Sequence, residues 1–410
     1  MKSVRPEPVE GLGGASTGSA RTGRVFAFCA LSASYFAHIG FFNPYLPLWL
    51  KDLGFGLLAI SVLTSVQSAT RLFAPYGWGW LSDHTGERVR LLRIGAGVAL
   101  LCSLGLWFDL SGPVLFVVLL LMFTHTSGMM PMSEAVLAQQ VSRDGRLDVR
   151  RYGRVRVWGS LGFLVTVLAA GAWFQAFGMG SFAAWTSLSL AAVALSTWWL
   201  PDARDTTAHQ AKAEPIGPVL RQPRMRWFFA AVFFHVLAHV FIYVFFSLHL
   251  DALGYPKSAI GAFWAASVVV EIGWFLTQGR WMPALSLPGW LVLGGALMAL
   301  RMALTAGLPS VWPLLALAQL LHAITFAAHH TVCIAWISEH FPGRLRGRGQ
   351  ALYAVLGYGL SGVTGGLVGG LVSSRFGLPS VFWLAALCGL VAAACALRVR
   401  ALTRASGGRG

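Results

Sequence analysis

The sequence predicts an all-α integral membrane protein of twelve transmembrane helices in two six-helix bundles. Three observations predict it. Of the 410 residues, 56% are hydrophobic and only 11% are charged, where a soluble chain carries about a quarter charged residues; mean hydropathy is +0.65. So few charges cannot cover a water-facing surface. The apolar residues are also gathered into runs of the ~20 residues that a helix needs to cross the bilayer core, and runs this long are not barrel strands. Finally, Lys and Arg are distributed unevenly. Only Lys51, Lys257 and Arg375 fall on connections of one side, and Arg71, Arg156 and Arg301 fall within the runs; the others lie on the opposite side. The positive-inside rule then puts both termini in the cytoplasm. The same bias accounts for the net charge of +16 without a nucleic-acid partner.

In chain order, residues 1–24 are polar, rich in Gly, Ser, Arg and Pro, and lack the apolar core of a signal peptide. They read as a disordered N-terminal extension outside the fold. Twelve spans follow at roughly 25–50, 57–81, 90–110, 113–140, 151–175, 179–200, 226–250, 258–279, 286–308, 311–340, 348–373 and 379–397. Most connections between them are a few residues long. The exception, 201–225, is polar and reads as a cytoplasmic linker between an N-terminal bundle (25–200) and a C-terminal bundle (226–400), with 401–410 as a cytoplasmic tail. The fifth span carries Gly159, Gly162 and Gly171, and the eleventh is glycine-rich from Gly357 to Gly370. Small residues let helices approach and slide, so these stretches read as surfaces on which the bundles rock.

The five cysteines lie in apolar runs at no regular spacing, which argues against disulfides and zinc. There is no phosphate-cradling Gly-Lys-Ser/Thr loop and no His-Glu-x-x-His, so no cofactor or metal is expected. The second span is followed by Gly79-Trp80-Leu81-Ser82-Asp83-His84-Thr85-Gly86-Glu87-Arg88. That Gly-x-x-x-Asp-x-x-Gly-x-Arg pattern resembles the loop 2–3 signature of the major facilitator superfamily. The resemblance implies a gate of Gly79, Asp83, Gly86 and Arg88, in which Gly79 permits close helix approach and Asp83 pairs with Arg88 or a neighbouring helix in one conformation only. His84 and Glu87 stand where that superfamily usually has basic residues. Phe42-Asn43-Pro44-Tyr45-Leu46-Pro47, closing the first span, resembles the lactose-permease-like branch, as do Glu134 and Tyr152-Gly153-Arg154-Val155-Arg156. Leu321-His322-Ala323-Ile324-Thr325-Phe326 with His330 is similar to the 3-phenylpropionate permease group within it.

A charge near the bilayer centre costs ~2.5–3.5 kcal/mol on insertion scales. The spans hold Arg71, Glu134, Arg156, Glu271 and Arg301, and each is therefore a candidate site residue. At 1.5 Å per residue, Glu134 lies ~9 Å and Arg156 ~8 Å from the same membrane face. Matching depth on consecutive helices predicts an ion pair, and the resemblance implies that it contacts substrate. Arg71, isolated in the second span, is a candidate for a substrate anion. The tenth span carries His322, Thr325 and His329 on one helical face, with His330 turned ~100° from His329. Sugar permeases of this branch have a proton-releasing glutamate where Thr325 stands, so proton coupling must pass to another group: Glu271 first, His322 second. The substrate-binding candidates are then Glu134, Arg156, Arg71, Arg301, His322 and His330, with aromatic lining from Trp158, Tyr243, Trp264 and Phe326.

The resemblance implies a monomeric secondary transporter of the bacterial inner membrane, working by alternating access with protons as the coupling ion. The spare positive charge among the spans favours an aromatic or other organic acid. A sugar or nucleoside symporter and an efflux antiporter are the alternatives within transport. A membrane-embedded enzyme would gather its polar residues at one depth on one side, whereas here they spread through both halves.

Overall fold

A computed structural model describes residues 17–143, 146–147, 149–201, 215–341 and 345–407 of the chain. Among the described residues, twelve helices are long and apolar enough to cross a membrane. They are α1 (Phe26–Asp52), α2 (Leu57–Thr85), α3 (Arg88–Trp107), α4 (Gly112–Glu134), α5 (Val155–Phe177), α6 (Met179–Trp198), α7 (Pro223–Ala252), α8 (Lys257–Ala284), α9 (Leu287–Gly307), α10 (Trp312–His340), α11 (Leu345–Phe376) and α12 (Leu378–Ala405). All twelve expected spans are present, with ends moved by several residues at most.

The ends carry the differences. The helix containing α1 starts at Thr17, inside the segment 1–24 expected to lie outside the fold. Once a long helix is nucleated, adding residues to its end is cheap. Residues 1–16 of that segment lie outside the described residues. Helix α7 starts at Pro223, preceded by a short helix at Gly217–Arg221, so the end of the 201–225 linker is helical. Proline is well placed in a first turn, where its missing N–H leaves nothing unsatisfied. Residues 202–214 of the linker and 408–410 of the tail lie outside the description. Helix α12 continues to Ala405 and takes Arg398, Arg400 and Arg404 onto its last turns. Between α4 and α5, Ser142–Arg143 pairs antiparallel with Arg146–Leu147.

Helix packing follows an internal repeat. In the first half α1 packs on α5 and α6, α3 on α6 and α2 on α4; in the second, α7 packs on α11 and α12, and α9 on α12. The halves meet chiefly through α5 with α8 and α2 with α11, and less extensively through α1 with α7. The repeat is visible in sequence at the first turn of each half. Leu50-Lys51-Asp52-Leu53-Gly54-Phe55 and Leu250-Asp251-Ala252-Leu253-Gly254-Tyr255 end α1 and α7 with the same hydrogen bonds: Gly54 N–H to Lys51 C=O and Phe55 N–H to Leu50 C=O, then Gly254 N–H to Asp251 C=O and Tyr255 N–H to Leu250 C=O. Both glycines sit at positive φ, +85° and +81°, where other residues are strained.

The glycine-rich helices serve two kinds of contact. On α11, a Cβ at Gly362, Gly366 or Gly370 would run into Ser68, Ser65 or Ser61 of α2, so this row is a close contact between the halves. On α5, Gly159 and Gly162 instead face Phe36 and Ala33 of α1 within the same half, and only Gly171 meets the other half, at Lys257 and Ser258.

Burial shows which face between the halves is closed. At the end where α1 meets α2, one continuous apolar core runs across both halves, including Phe41, Leu50, Leu63, Phe174, Phe245 and Ile260. At the opposite end, the first half has its own separate core around Phe28, Leu92, Met132 and Val155. The cleft between the bundles therefore opens toward the α2–α3 connection. The closed end is further tied by Lys51 Nζ to Asp251 Oδ2 at 2.7 Å, by Lys257 N–H donating to Gln175 Oε1 at 2.7 Å, and by the Tyr45 hydroxyl between Val167 C=O and Lys257 C=O at 3.2 Å each.

Candidate functional site

The first half contributes two charged features. Arg156 Nη1 donates to Glu134 Oε1 at 2.6 Å; their side chains are 44% and 37% exposed, so the pair faces an open space and not a sealed core. The guanidinium also lies 5.4 Å above the Phe36 ring, a cation–π distance. The second feature is Arg71, where α2 is interrupted: regular helix stops at Thr70 and resumes at Ala74. Pro75 explains the break, because its ring clashes with the carbonyl four residues back, that of Arg71. The half-buried guanidinium makes no hydrogen bond or ion pair among the described residues, yet it is within electrostatic reach of Tyr35 of α1, Tyr243 of α7 and Tyr358 of α11. It therefore stands between the two halves.

The second half encloses its arginine. Arg301 is 1% exposed. Its Nη1 lies 3.1 Å from His322 Nδ1, 3.1 Å from Thr325 Oγ1 and 3.3 Å from His239 Nε2, and its Nη2 donates to Gln319 Oε1 at 3.1 Å. Ser267 of α8 donates to the same Gln319 oxygen at 3.0 Å. These partners use donors that a direct substrate contact would need, which departs from the substrate-binding role expected for Arg301. No carboxylate among the described residues touches it. The nearest acid reached through its partners is Glu271 of α8, whose Oε2 lies 3.4 Å from His322 Nε2. Glu271 is 25% exposed and His322 7%, so the acid reaches the cleft and the imidazole lies behind it.

Helix α10 departs from regular α geometry, and this rearranges the face expected for its histidines. Residues Ala323–Ala328 form a π turn, wider than an α turn. His322 stacks on Phe326 at 4.8 Å and Phe326 on His330 at 6.5 Å, so residues four apart line up on one side. His329 turns away and stacks on His235 of α7 at 3.7 Å. A second π turn spans Ala354–Leu360 of α11, flanked by Tyr353 and carrying Tyr358. His330 Nδ1 lies 3.2 Å from the Tyr353 hydroxyl, which lies 3.3 Å from that of Tyr358. His330 is also within electrostatic reach of both Glu271 and Arg156, one from each half.

Of the expected aromatic lining, Tyr243 and Phe326 are half-buried beside these groups. Trp264 is buried behind Tyr243, stacked at 14° and donating to Ser247 Oγ. Trp158 is 50% exposed. Sequence reasoning missed Tyr35, Gln319, Tyr353 and Tyr358. Gln319 had a signal, as the lone amide in an apolar run three residues before His322; the tyrosines had none.

At the α2–α3 connection, Gly86 ends α2 in the left-handed conformation, φ +67°, with its N–H on Ser82 C=O. Asp83 Oδ1 accepts from Arg88 Nη2 at 3.4 Å, and Arg88 Nε donates to Ser82 Oγ at 3.1 Å. Asp83 is 70% exposed. The close helix approach expected at Gly79 does not occur here: a Cβ at that position would meet open space, because the cleft is open at this end.

Two bundles enclosing polar groups from both halves, with a cleft open at one end and tied at the other, define a membrane carrier. The family model described as "MFS_1 like family" matches residues 31–384, and the chain belongs to that family. It is similar to "Probable 3-phenylpropionic acid transporter" of Escherichia coli (strain K12), 27% identical over 88% of this chain and 93% of that one. It is also similar to "Maltose permease" of Geobacillus stearothermophilus, 26% identical over 81% and 83%. Among solved structures, a mutant form of the nucleoside transporter NupG superposes with TM-score 0.81 at 16% identity, covering 92% of this chain and 99% of that one. A bacterial homolog of the human lysosomal transporter Spinster, inward-facing and occupied, superposes with TM-score 0.72 at 14% identity over 94% and 98%. The protein is a multi-pass inner-membrane transporter of small solutes and not an enzyme.

Proposed function

We propose that the protein moves a small organic anion, with aromatic and related organic acids as the substrate class, by proton symport. The observation that carries this reading is the charge balance of the cleft. Glu134 neutralises Arg156 directly and Glu271 balances Arg301 through His322, whereas Arg71 has no acid partner among the described residues. A guanidinium inside a membrane protein calls for a counter-charge, and a substrate carboxylate supplies one. Tyr243 and Phe326 offer aromatic faces for an apolar body, and His330 with the Glu134–Arg156 pair completes the binding surface. The similarity to a 3-phenylpropionic acid transporter supports the substrate class.

Glu271 is the proton carrier in this reading. It is acidic, partly exposed to the cleft and in contact with His322. Protonation removes its charge and permits the loaded carrier to reorient. Asp83, Gly86 and Arg88 form the gate at the end that is open here, with Gly79 available for close packing when that end shuts. The Lys and Arg bias puts this end and both termini in the cytoplasm. The site is built from the two halves of one chain, which supports function as a monomer.

Uptake into proteoliposomes tests the reading. Labelled 3-phenylpropionate should accumulate when the outside is acidified and equilibrate when it is not. Arg71→Gln should weaken binding of the acid by roughly 10- to 100-fold, the worth of a charge-assisted hydrogen bond, and leave binding of the neutral amide analogue unchanged. Accumulation of maltose or a nucleoside with none of the aryl acid would replace this reading with a neutral-solute symporter.

A further inference from the structure

We propose that Arg301 is a positioning residue that locks His322 in one neutral tautomer, so that His322 serves as a fixed hydrogen-bond donor to Glu271 and not as a proton carrier. The proposal rests on the symport reading for its meaning, but its geometry stands alone. Guanidinium N–H groups only donate, and arginine stays charged in proteins. Arg301 Nη1 lies 3.1 Å from His322 Nδ1, so Nδ1 must present its lone pair. A neutral imidazole then carries its single proton on Nε2. That nitrogen is the one facing Glu271 Oε2, at 3.4 Å. One ring nitrogen is thus committed by a permanent donor, and the other is left with one possible role.

A second proton on His322 would have to enter at Nδ1, where it would point an N–H at the N–H of a guanidinium. The like charges and the lost hydrogen bond both oppose it. Of the other groups around the ring among the described residues, Glu271 alone favours a charged imidazole, and it faces Nε2, not the nitrogen that a second proton would have to reach. From α7, His239 turns Nε2 to the same Arg301 nitrogen at 3.3 Å and, by the same logic, accepts there. From α10 itself, Phe326 stacks on the ring and Thr325 Oγ1 accepts from Arg301. From α8, Glu271 is the single carboxylate in contact, and it faces Nε2. With an acceptor required at Nδ1 and a donor at Nε2, the ring has no site left for a second proton.

The arrangement has a functional consequence. The histidine transmits the state of the acid to a buried cation: a charged Glu271 accepts from Nε2–H, and a protonated Glu271 no longer needs that bond. Arg301, one residue removed from the acid, stays charged throughout because a guanidinium is not deprotonated in proteins, and its two Nη atoms are engaged by His239, His322, Thr325 and Gln319.

Nitrogen-15 NMR of histidine-labelled full-length protein in lipid nanodiscs, between pH 5 and 8, tests the lock, with His322→Gln identifying the signal. In the wild type His322 should show the neutral Nε2–H tautomer at every pH. Arg301→Met removes the donor with little change in volume, and should allow the Nδ1–H tautomer to appear beside the Nε2–H form. Arg301→Lys retains a cationic donor and should restore the Nε2–H form. A wild-type His322 that carries its proton on Nδ1, or that gains a second one in this range, overturns the proposal, and so does an Arg301→Met spectrum unchanged from wild type. If Arg301→Met does not fold, the wild-type spectrum alone decides. A locked His322 in a protein that shows no acid-driven accumulation would leave the lock standing and remove the symport reading instead.

Discussion

Arg156 of the first half and Arg301 of the second both lie within spanning helices, and they are treated in opposite ways. Arg156 meets Glu134 directly at 2.6 Å, with both side chains more than a third exposed. Arg301 is 1% exposed and reaches its nearest acid only through His322. An exposed direct pair sits in water or against a ligand, so it can rearrange at little cost. A sealed cation cannot leave, and its partners must fit around it. In the proposed reading the open first-half pair meets the ligand and the sealed second-half cation relays charge, on a scaffold whose helices otherwise repeat.

Substituting the sealed arginine should have the largest effect on folding. Arg301→Ala leaves His322 and His239 without their donor, and buried unsatisfied groups cost ~1–3 kcal/mol each. We expect about 3 kcal/mol of lost stability after some rearrangement, measured by denaturation in mixed micelles. A loss below that of the Arg156 variant would erase the distinction between the halves.

The exposed pair should behave in reverse. Glu134→Ala and Arg156→Ala should each change stability by less than about 1 kcal/mol, the range for solvated pairs, while substrate binding drops at least tenfold. A deeply buried pair would have cost several kcal/mol on losing one partner, but the exposure of both side chains excludes that case. Normal binding in either variant would make the pair structural.

A smaller effect is expected where the two halves are tied by equivalent residues. Lys51 and Asp251 occupy the same position in the repeated turn and pair at 2.7 Å, with Lys51 47% exposed. Lys51→Ala should shift the balance between open and closed ends by no more than ~1 kcal/mol, or about fivefold. Distance measurements between spin labels on α1 and α7 would record it. The double charge swap, Lys51→Asp with Asp251→Lys, should return the balance to wild type.

The twelve spans were legible because lipid leaves little choice: each needs ~20 apolar residues, and the sequence displays them as separate runs. The buried charges were legible for a related reason, since their cost makes them rare. The Glu134–Arg156 contact followed from depth alone, because both lie on consecutive helices near one face. Arg301 did not follow, because depth does not say which way a helix is rotated, and rotation decides between a cleft and a core. The stack of His322, Phe326 and His330 depends on the π turn at Ala323–Ala328, whose apolar residues carry no mark of it. Two features were written in the sequence and not drawn from it. Pro75 marks the break at Arg71, and the shared Leu-Gly-aromatic turns at Leu53 and Leu253 mark the internal repeat.

The central claim is that Glu271 carries the coupling proton. Proteoliposomes containing Glu271→Gln, which mimics the protonated acid permanently, test it most directly. Two rates are compared: exchange of labelled 3-phenylpropionate against unlabelled substrate, and its accumulation driven by an acidic exterior. In this account the neutral form is the one competent to reorient, so an acidic exterior should drive wild-type accumulation and leave the variant indifferent. The account predicts that exchange persists in Glu271→Gln while accumulation is abolished. Accumulation surviving in that variant would contradict it.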